Sequence, residues 1–290
     1  MGTAKSTERR KKKSAEERIS DGIVRVILYL YSIIVLFPMI WTVYTSFKSS
    51  DEFYDNPWTL PKQVNFNNYV SAFQKANMGT YFINSIIITA LSLIFIIVIS
   101  LLAAYAIARF DSKITRFFNN LFMGGLFVPS TLILIPLFLL MNQIYLLDKY
   151  GGLITIYVAF SLSFSIYVMV GFLKSIPKDY EEAAYLDGCS YFGALKRVMV
   201  PMAKPAIVTV AIFNFISLWN EYIFALVIIS TDSKKTLPVG LANLSQVQKY
   251  STDWGTLFAG LVIVMIPTVI FYALLQKKLI AGLNVGGLKG

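Results

Sequence analysis

The 290-residue chain is 56% hydrophobic and only 14% charged, with a formal net charge of +10. A soluble domain carries about 25% charged residues, so this balance excludes a disordered protein and argues against a soluble enzyme. There is no histidine and a single cysteine, Cys189, which removes imidazole triads, proton shuttles, most zinc or iron sites and any disulfide framework.

Residues 1–20 read as a basic cytosolic tail. Its run Arg9, Arg10, Lys11, Lys12, Lys13 suits anionic lipid heads better than nucleic acid, because basic segments are what orient a membrane protein. Six apolar blocks follow: 26–43, interrupted by Pro38; 81–108, without a charge; 121–141; 152–173; 207–229, with one charge, Glu221; and 254–275. Each reaches or approaches the roughly 20 residues that cross a bilayer. The reading is an all-α integral membrane protein with six transmembrane helices over 21–276 and a cytosolic C-terminal tail at 277–290. Pro38, Pro129, Pro136 and Pro267 are expected as kinks. At about 1.5 Å per residue the second helix would be about 42 Å long, so it must tilt or project from the membrane. The first block is expected to be an uncleaved signal anchor, being too long for a signal-peptide core and followed by no small-x-small site.

Alternating the segments between the two sides puts 19 of the 26 Lys and Arg residues on the side of the N-terminus. Positive charge is retained on the cytosolic side, so both termini are expected there. The outer loop at 48–80 spaces Trp58, Phe66, Tyr69 and Phe73 among Pro and Asn and is expected to pack as short helices. The inner segment at 174–206 is long for a connection, and a long loop with its own structure usually carries function.

In that segment Asp179 is placed to cap a helix with Glu182 at its third position, a capping box. Ala183 and Ala184 keep one face small, and Gly188 falls where the helix ends and the chain turns, a place that favours positive φ. A second helix is expected from Ser190 to just before Pro201. The product is a helix–turn–helix elbow, although an amphipathic loop lying on the membrane fits the same pattern.

The string from Glu182 to Pro201, EAAYLDGCSYFGALKRVMVP, resembles the E-A-A-x3-G-x9-I-x-L-P pattern of ATP-binding-cassette (ABC) importer permeases. Val198 and Val200 replace the usual Ile and Leu, and Cys189 stands where a small residue is usual. NNYVSAF (67–73), YFINSIIIT (81–89), AYAIARF (104–110), LWNEYIFAL (218–226) and the tail from Gln276 resemble the carbohydrate-uptake branch, similar to the second permease of maltose-type systems. The resemblance covers residues 25–290. It implies the type I importer permease fold, a second homologous permease subunit, two ATP-binding subunits and an extracellular sugar-binding protein, in a bacterial or archaeal cytoplasmic membrane. It also implies that the elbow docks on the ATPase, with Glu182 and Asp187 as charged contacts, Ala183 and Ala184 as the close-packing face and Gly188 as the turn. ATP and magnesium are expected in the partner subunits, since the sequence lacks G-x-x-x-x-G-K-[ST]. This chain itself is expected to bind no cofactor or metal and to be no enzyme.

Glu221 is the ionisable residue within the spans, where charge costs about 3 kcal/mol at the helix centre by insertion scales. Asn214, Ser217 and Glu221 would share one face of the fifth helix. That stripe, with Trp219 and Asn220, suits a sugar path, because amides and carboxylates accept from hydroxyls. An interhelical hydrogen-bond network fits equally, and Trp219 with Tyr222 also fits an interfacial aromatic belt. The expected function is sugar import, most readily of a neutral oligosaccharide. The alternatives are another cargo, such as a polyamine or phosphate ester, and a stand-alone secondary transporter.

Overall fold

The computed structural model describes residues 15–74, 76–247 and 253–287, with side chains described at 20–74, 76–244 and 253–276. The basic run 9–13 lies outside them. Helices α1 (Ala15–Thr45), α2 (Ser50–Asp55), α3 (Asn67–Gln74), α4 (Met78–Arg109), α5 (Lys113–Gly125), α6 (Leu134–Gln143) and α7 (Tyr150–Ser175) make up the first part of the chain. Then come α8 (Asp179–Leu186), α9 (Tyr191–Ala194), α10 (Val200–Met202), α11 (Lys204–Trp219), α12 (Ile223–Ile228), α13 (Leu237–Val247) and α14 (Trp254–Gly287). No strand occurs among the described residues. Helix α1 begins within the segment read as a tail, and α14 runs on past residue 276.

Four helices are long and apolar enough to cross a bilayer: Ser20–Thr45 of α1, α4, α7 and Trp254–Gln276 of α14. Two bent pairs, each counted as one span, bring the number to the expected six: Lys113–Gly125 with Ser130–Gln143, and Tyr191–Met202 with Lys204–Trp219. The third block is not one helix. It is α5 and a segment at 130–143 meeting at 95°, because Pro129 lacks an N–H and a 3₁₀ turn at Ser130–Ile133 follows it. Gly125 ends α5 where a Cβ would collide with the Ser163 hydroxyl of α7, so the bend sits tightly on its neighbour. Pro136 falls in the first turn of α6, where no helical hydrogen bond is lost. The fifth block is also broken: α11 stops at Trp219 and α12 starts at Ile223.

Packing centres on α4 and α7, with α11 against both and α14 against α11. Ile88, Ile96, Leu153, Ile156, Ile166 and Met169 are fully buried there. A second cluster, including Met78, Tyr81, Trp219, Leu237 and Ala259, closes the end where α4 begins. At that end the loop expected to be structured does form α2 and α3. Lys48 is fully buried there and donates to the Asn56 carbonyl at 2.8 Å and the Thr59 hydroxyl at 3.1 Å. Burial lowers its pKa from the ordinary lysine value. Asn68 donates to the carbonyls of Ser46 and Lys48, each at 2.8 Å. Helix α1 packs chiefly on α14 and leaves Leu28, Ile33 and Ile34 outward, as expected of a span facing lipid or another subunit.

Candidate functional site

Two arrangements stand out: an elbow where α4 and α7 end, and a cavity beside the middle of α7. The first is the elbow. Helix α8 begins at Asp179 itself, which makes no side-chain cap bond; the expected capping box is absent. The preceding Pro177 and the αR conformation of Lys178 start the helix one residue early, so the carboxyls of Asp179, Glu181 and Glu182 lie in its first turn. There they complement the helix dipole.

The turn is as the sequence suggests. Gly188 has φ +82°, its N–H donates to the Tyr185 carbonyl at 3.0 Å, and the Cys189 N–H donates to the Ala184 carbonyl at 2.9 Å. This is a Schellman closure, and the left-handed residue in it costs glycine little. Ser190 caps the second helix through the Gly193 N–H at 3.2 Å. That helix does not end before Pro201. Leu195–Met199 widens into a π-turn and the chain passes through Pro201 to Met202. It then bends by 70° into α11.

Burial divides the motif residues. Glu182, Ala183, Asp187 and Gly188 are exposed, whereas Ala184 packs inward, so the two alanines do not form one docking face. Leu186 is 90% exposed, and Tyr180, Tyr191 and Phe192 are also exposed. Leu186, lying between the motif positions Ala184 and Asp187, is the signal in the sequence for this apolar tip.

Glu181, which the motif does not mark, turns inward. Its carboxylate forms a buried ion pair with Arg109 in the last turn of α4; the two side chains are 6% and 7% exposed. Arg109 Nη2 also donates to the Ile176 carbonyl at 3.1 Å. The Tyr105 and Tyr185 hydroxyls lie 3.5 Å apart, and rings Tyr185 and Tyr191 meet edge-on at 5.1 Å.

The second arrangement is a cavity of about 420 Å³ between α7, α11, α12 and the bend before α6. Its polar lining is Ser130, Thr131, Tyr157, Ser161, Asn214, Ser217 and Glu221, and its apolar lining includes Phe160, Phe164, Phe213 and Phe224. Phe160 stacks on Phe224 with centroids 5.0 Å apart, and Phe164 meets Phe213 edge-on at 5.6 Å.

Asn214, Ser217 and Glu221 are therefore brought together, but not by a continuous helical face. Glu221 lies in the break between α11 and α12. It accepts from the Phe224 N–H at 2.7 Å, the Ala225 N–H at 3.1 Å and the Tyr157 hydroxyl at 2.6 Å. The carboxylate thus caps α12 while one edge borders the cavity. Asn214 donates to the Ser165 hydroxyl at 2.9 Å and the Val210 carbonyl at 2.8 Å.

Trp219 is not part of this cavity. It is buried, donates to the Val264 carbonyl at 3.2 Å, and stacks on Phe215. Asn220 donates to the Ile216 carbonyl and borders a separate hollow with Tyr222 and Leu241. Trp219 belongs to packing against α14, whereas Asn220 is exposed at the rim of that hollow beside α13 and α14.

The family model "Binding-protein-dependent transport system inner membrane component" matches residues 96–284. The chain is 38% identical over 272 residues to the probable ABC transporter permease protein YurM of Bacillus subtilis, covering 94% of this chain and 90% of that one. It is 36% identical over 273 residues to the diacetylchitobiose uptake system permease protein NgcG of Streptomyces coelicolor, again covering 94% and 90%. A crystal structure of a bacterial ABC transporter involved in import of the acidic polysaccharide alginate superposes with a TM-score of 0.81 at 25% identity. That match covers 92% of this chain and 98% of the other. The six spans, the elbow that follows the fourth of them and these matches place the chain in the family of binding-protein-dependent transport system inner membrane components, the membrane permeases of ABC importers.

Proposed function

We propose that this permease carries a saccharide of more than one ring, delivered by an extracellular binding protein, across the membrane of a bacterium or archaeon. It works in a complex with a second homologous permease and two ATP-binding subunits, which hold ATP and magnesium. Both of its termini and the elbow face the cytosol.

The elbow carries this reading. A membrane chain has no packing reason to build a two-helix knob with Leu186 90% exposed and a glycine-locked turn, and an exposed apolar tip is suited to a partner's cleft. In docking, Glu182 and Asp187 supply charge, Ala183 close approach and Leu186 the apolar plug. Ala184 serves from inside, by packing the knob onto its own chain.

The cavity supports the cargo class. Its lining offers hydroxyl, amide and carboxylate groups beside four phenylalanine rings and no basic side chain. Such a surface suits a ring with many hydroxyls and gives no counter-charge to a phosphate ester. NgcG is a diacetylchitobiose permease, which agrees with a saccharide. Glu221 is spent largely on capping, and Asn214 is buried with its amide hydrogens engaged, so Ser217, Ser161 and Thr131 are the groups most available to cargo.

The test is purification of the tagged chain from its native membrane, followed by uptake into vesicles of labelled oligosaccharides of two to five rings. The expected result is co-purification of a second permease and ATP-binding subunits, and ATP-dependent uptake that requires the binding protein. A transport-competent assembly of this chain alone would refute it.

A further inference from the structure

We infer that the Arg109–Glu181 pair is the mechanical tie through which the elbow moves the membrane helices. The inference rests on the elbow's being the ATPase-docking element, and it assigns a positioning role to two residues for which that reading has no use.

The geometry is specific. Glu181 and Glu182 are neighbours on α8, yet one points into the protein and the other out. A partner seated on the exposed face would grip Glu182, while Glu181 holds α4 from the buried face. Arg109 then spans three elements: its own α4, the carboxylate of α8, and the Ile176 carbonyl at the end of α7. Its Nη2 also approaches the Met199 sulfur at 3.8 Å, in the π-turn of the second elbow helix. One guanidinium thus gathers the end of α4, the end of α7 and both arms of the elbow.

A rigid planar fork suits such a junction better than an ammonium would. Beside it the Tyr105 hydroxyl of α4 interacts with the Glu181 carboxylate and, at 3.5 Å, with the Tyr185 hydroxyl, and the rest of the junction includes apolar packing. Apolar surfaces resist being pushed together but slide cheaply, since dispersion is non-directional. An ion pair screened from water resists separation as well. The pair therefore transmits a pull on the elbow as well as a push, which a cycle of opening and closing requires. Helices α4 and α7 pack against each other along their lengths, and α7 carries Tyr157, Phe160, Ser161 and Phe164 of the cavity about three to five turns before its elbow end.

The test uses the complete complex in nanodiscs, with Cys189→Ser removing the native thiol and Ser161→Cys as a reporter in the cavity. The reporter's modification rate by a membrane-impermeant thiol reagent is measured without nucleotide and after trapping with ATP, magnesium and vanadate. Co-purification of the ATP-binding subunits and ATP hydrolysis are measured alongside. The tie is removed in Glu181→Gln, and both charges are removed in Arg109→Met with Glu181→Leu, which leaves no buried charge unpaired.

The double variant is expected to assemble and to hydrolyse ATP at a rate within twofold of the parent, while the nucleotide-dependent change in reporter rate falls at least fivefold. Glu181→Gln should show the same loss of response in whatever fraction assembles. A double variant with the full reporter response would overturn the inference and leave the pair a matter of packing. So would failure of the double variant to assemble, which would mark a fold requirement. If the parent complex itself shows no nucleotide response at the reporter, the docking reading of the elbow fails instead, whatever the variants do.

Discussion

At the scale of the residue, Gly188 and Glu221 show how differently one side chain can matter. Around Gly188 nothing stands within 4 Å of a would-be Cβ, so substitution there meets only the backbone, held at φ +82°. For L-residues the left-handed region costs about 1–2 kcal/mol, and asparagine tolerates it better than branched residues. Gly188→Asn should therefore retain most uptake, while Gly188→Val should lose at least tenfold in uptake and co-purify less ATP-binding subunit. Equal uptake in the two variants would show that the turn's conformation is immaterial. Glu221 is surrounded instead by donors. Removing it leaves the Phe224 and Ala225 amides and the Tyr157 hydroxyl without an acceptor, each at a cost of about 1–3 kcal/mol when buried. Glu221→Ala should lower the melting temperature and yield of the complex, with uptake per assembled complex changed less than twofold. Normal yield with lost uptake would move Glu221 into the cargo path. The buried pair obeys a similar logic: Glu181→Ala strands the Arg109 charge at about 3–5 kcal/mol, visible as a fall in melting temperature larger than that of Arg109→Met with Glu181→Leu.

At the scale of the element, the breaks matter more than the helices. The bend before α6 and the gap between α11 and α12 open the cavity, and non-helical backbone at membrane depth must be re-satisfied. At the bend backbone turns do this, from the Phe127 N–H to the Gly124 carbonyl and from the Leu132 N–H to the Pro129 carbonyl, whereas at the gap the Glu221 carboxylate accepts from the Phe224 and Ala225 amides. The connection from α6 to α7 is held to the one after α12 by Asp148. Its carboxylate accepts from the amides of Ser230 and Thr231 at 3.1 and 2.9 Å, from the Thr231 hydroxyl at 2.6 Å and from Lys234 at 2.7 Å. The Lys234 and Thr231 bonds hold its pKa well below the ordinary carboxylate range. A depressed carboxylate pKa contributes stability that is fully present above the unfolded-state value, about 3.9, and is lost as pH falls toward the folded-state value. Asp148→Asn should therefore destabilise the complex at pH 7, and the difference from the parent should shrink steadily below pH 4 in thermal unfolding. A difference independent of pH would mean that the amide bonds, not the charge, hold the loop. Asp232, its pKa lowered by bonds from Tyr81 and Lys235, links the same stretch to the start of α4, where the Tyr81 hydroxyl reaches it at 2.8 Å.

At the scale of the whole molecule, sidedness and partnership are the testable quantities. Cys189 is the chain's sole cysteine and directly follows Gly188 on the elbow. It offers a native probe of sidedness. A membrane-impermeant maleimide should label it in inverted vesicles and not in right-side-out vesicles, and the reverse pattern would invert the assigned topology. Bound ATP-binding subunits should slow labelling in inverted vesicles.

Composition and block length alone established the membrane class, since only spans of about 20 apolar residues explain such a distribution. The elbow's turn was legible as well, because the left-handed conformation at Gly188 is a local demand that glycine meets at least cost. Asp179 failed as a cap because helix starts are decided by the backbone of the preceding residues, here Pro177 and Lys178. The continuous face Asn214–Ser217–Glu221 failed because hydropathy cannot distinguish an unbroken helix from two that share an apolar stretch. Those three residues nonetheless meet at one cavity, brought together by a break instead of a helical period. Trp219 and Asn220 lay within the same stretch, but the direction of each side chain depends on where α11 stops; Trp219 went to α14 and Asn220 to the exposed rim of the separate hollow. The inward turn of Glu181 and outward turn of Glu182 likewise required Arg109, 72 positions away in the chain. Local chemistry is written in neighbouring residues; which of two adjacent carboxylates becomes buried is decided by what the fold places opposite it.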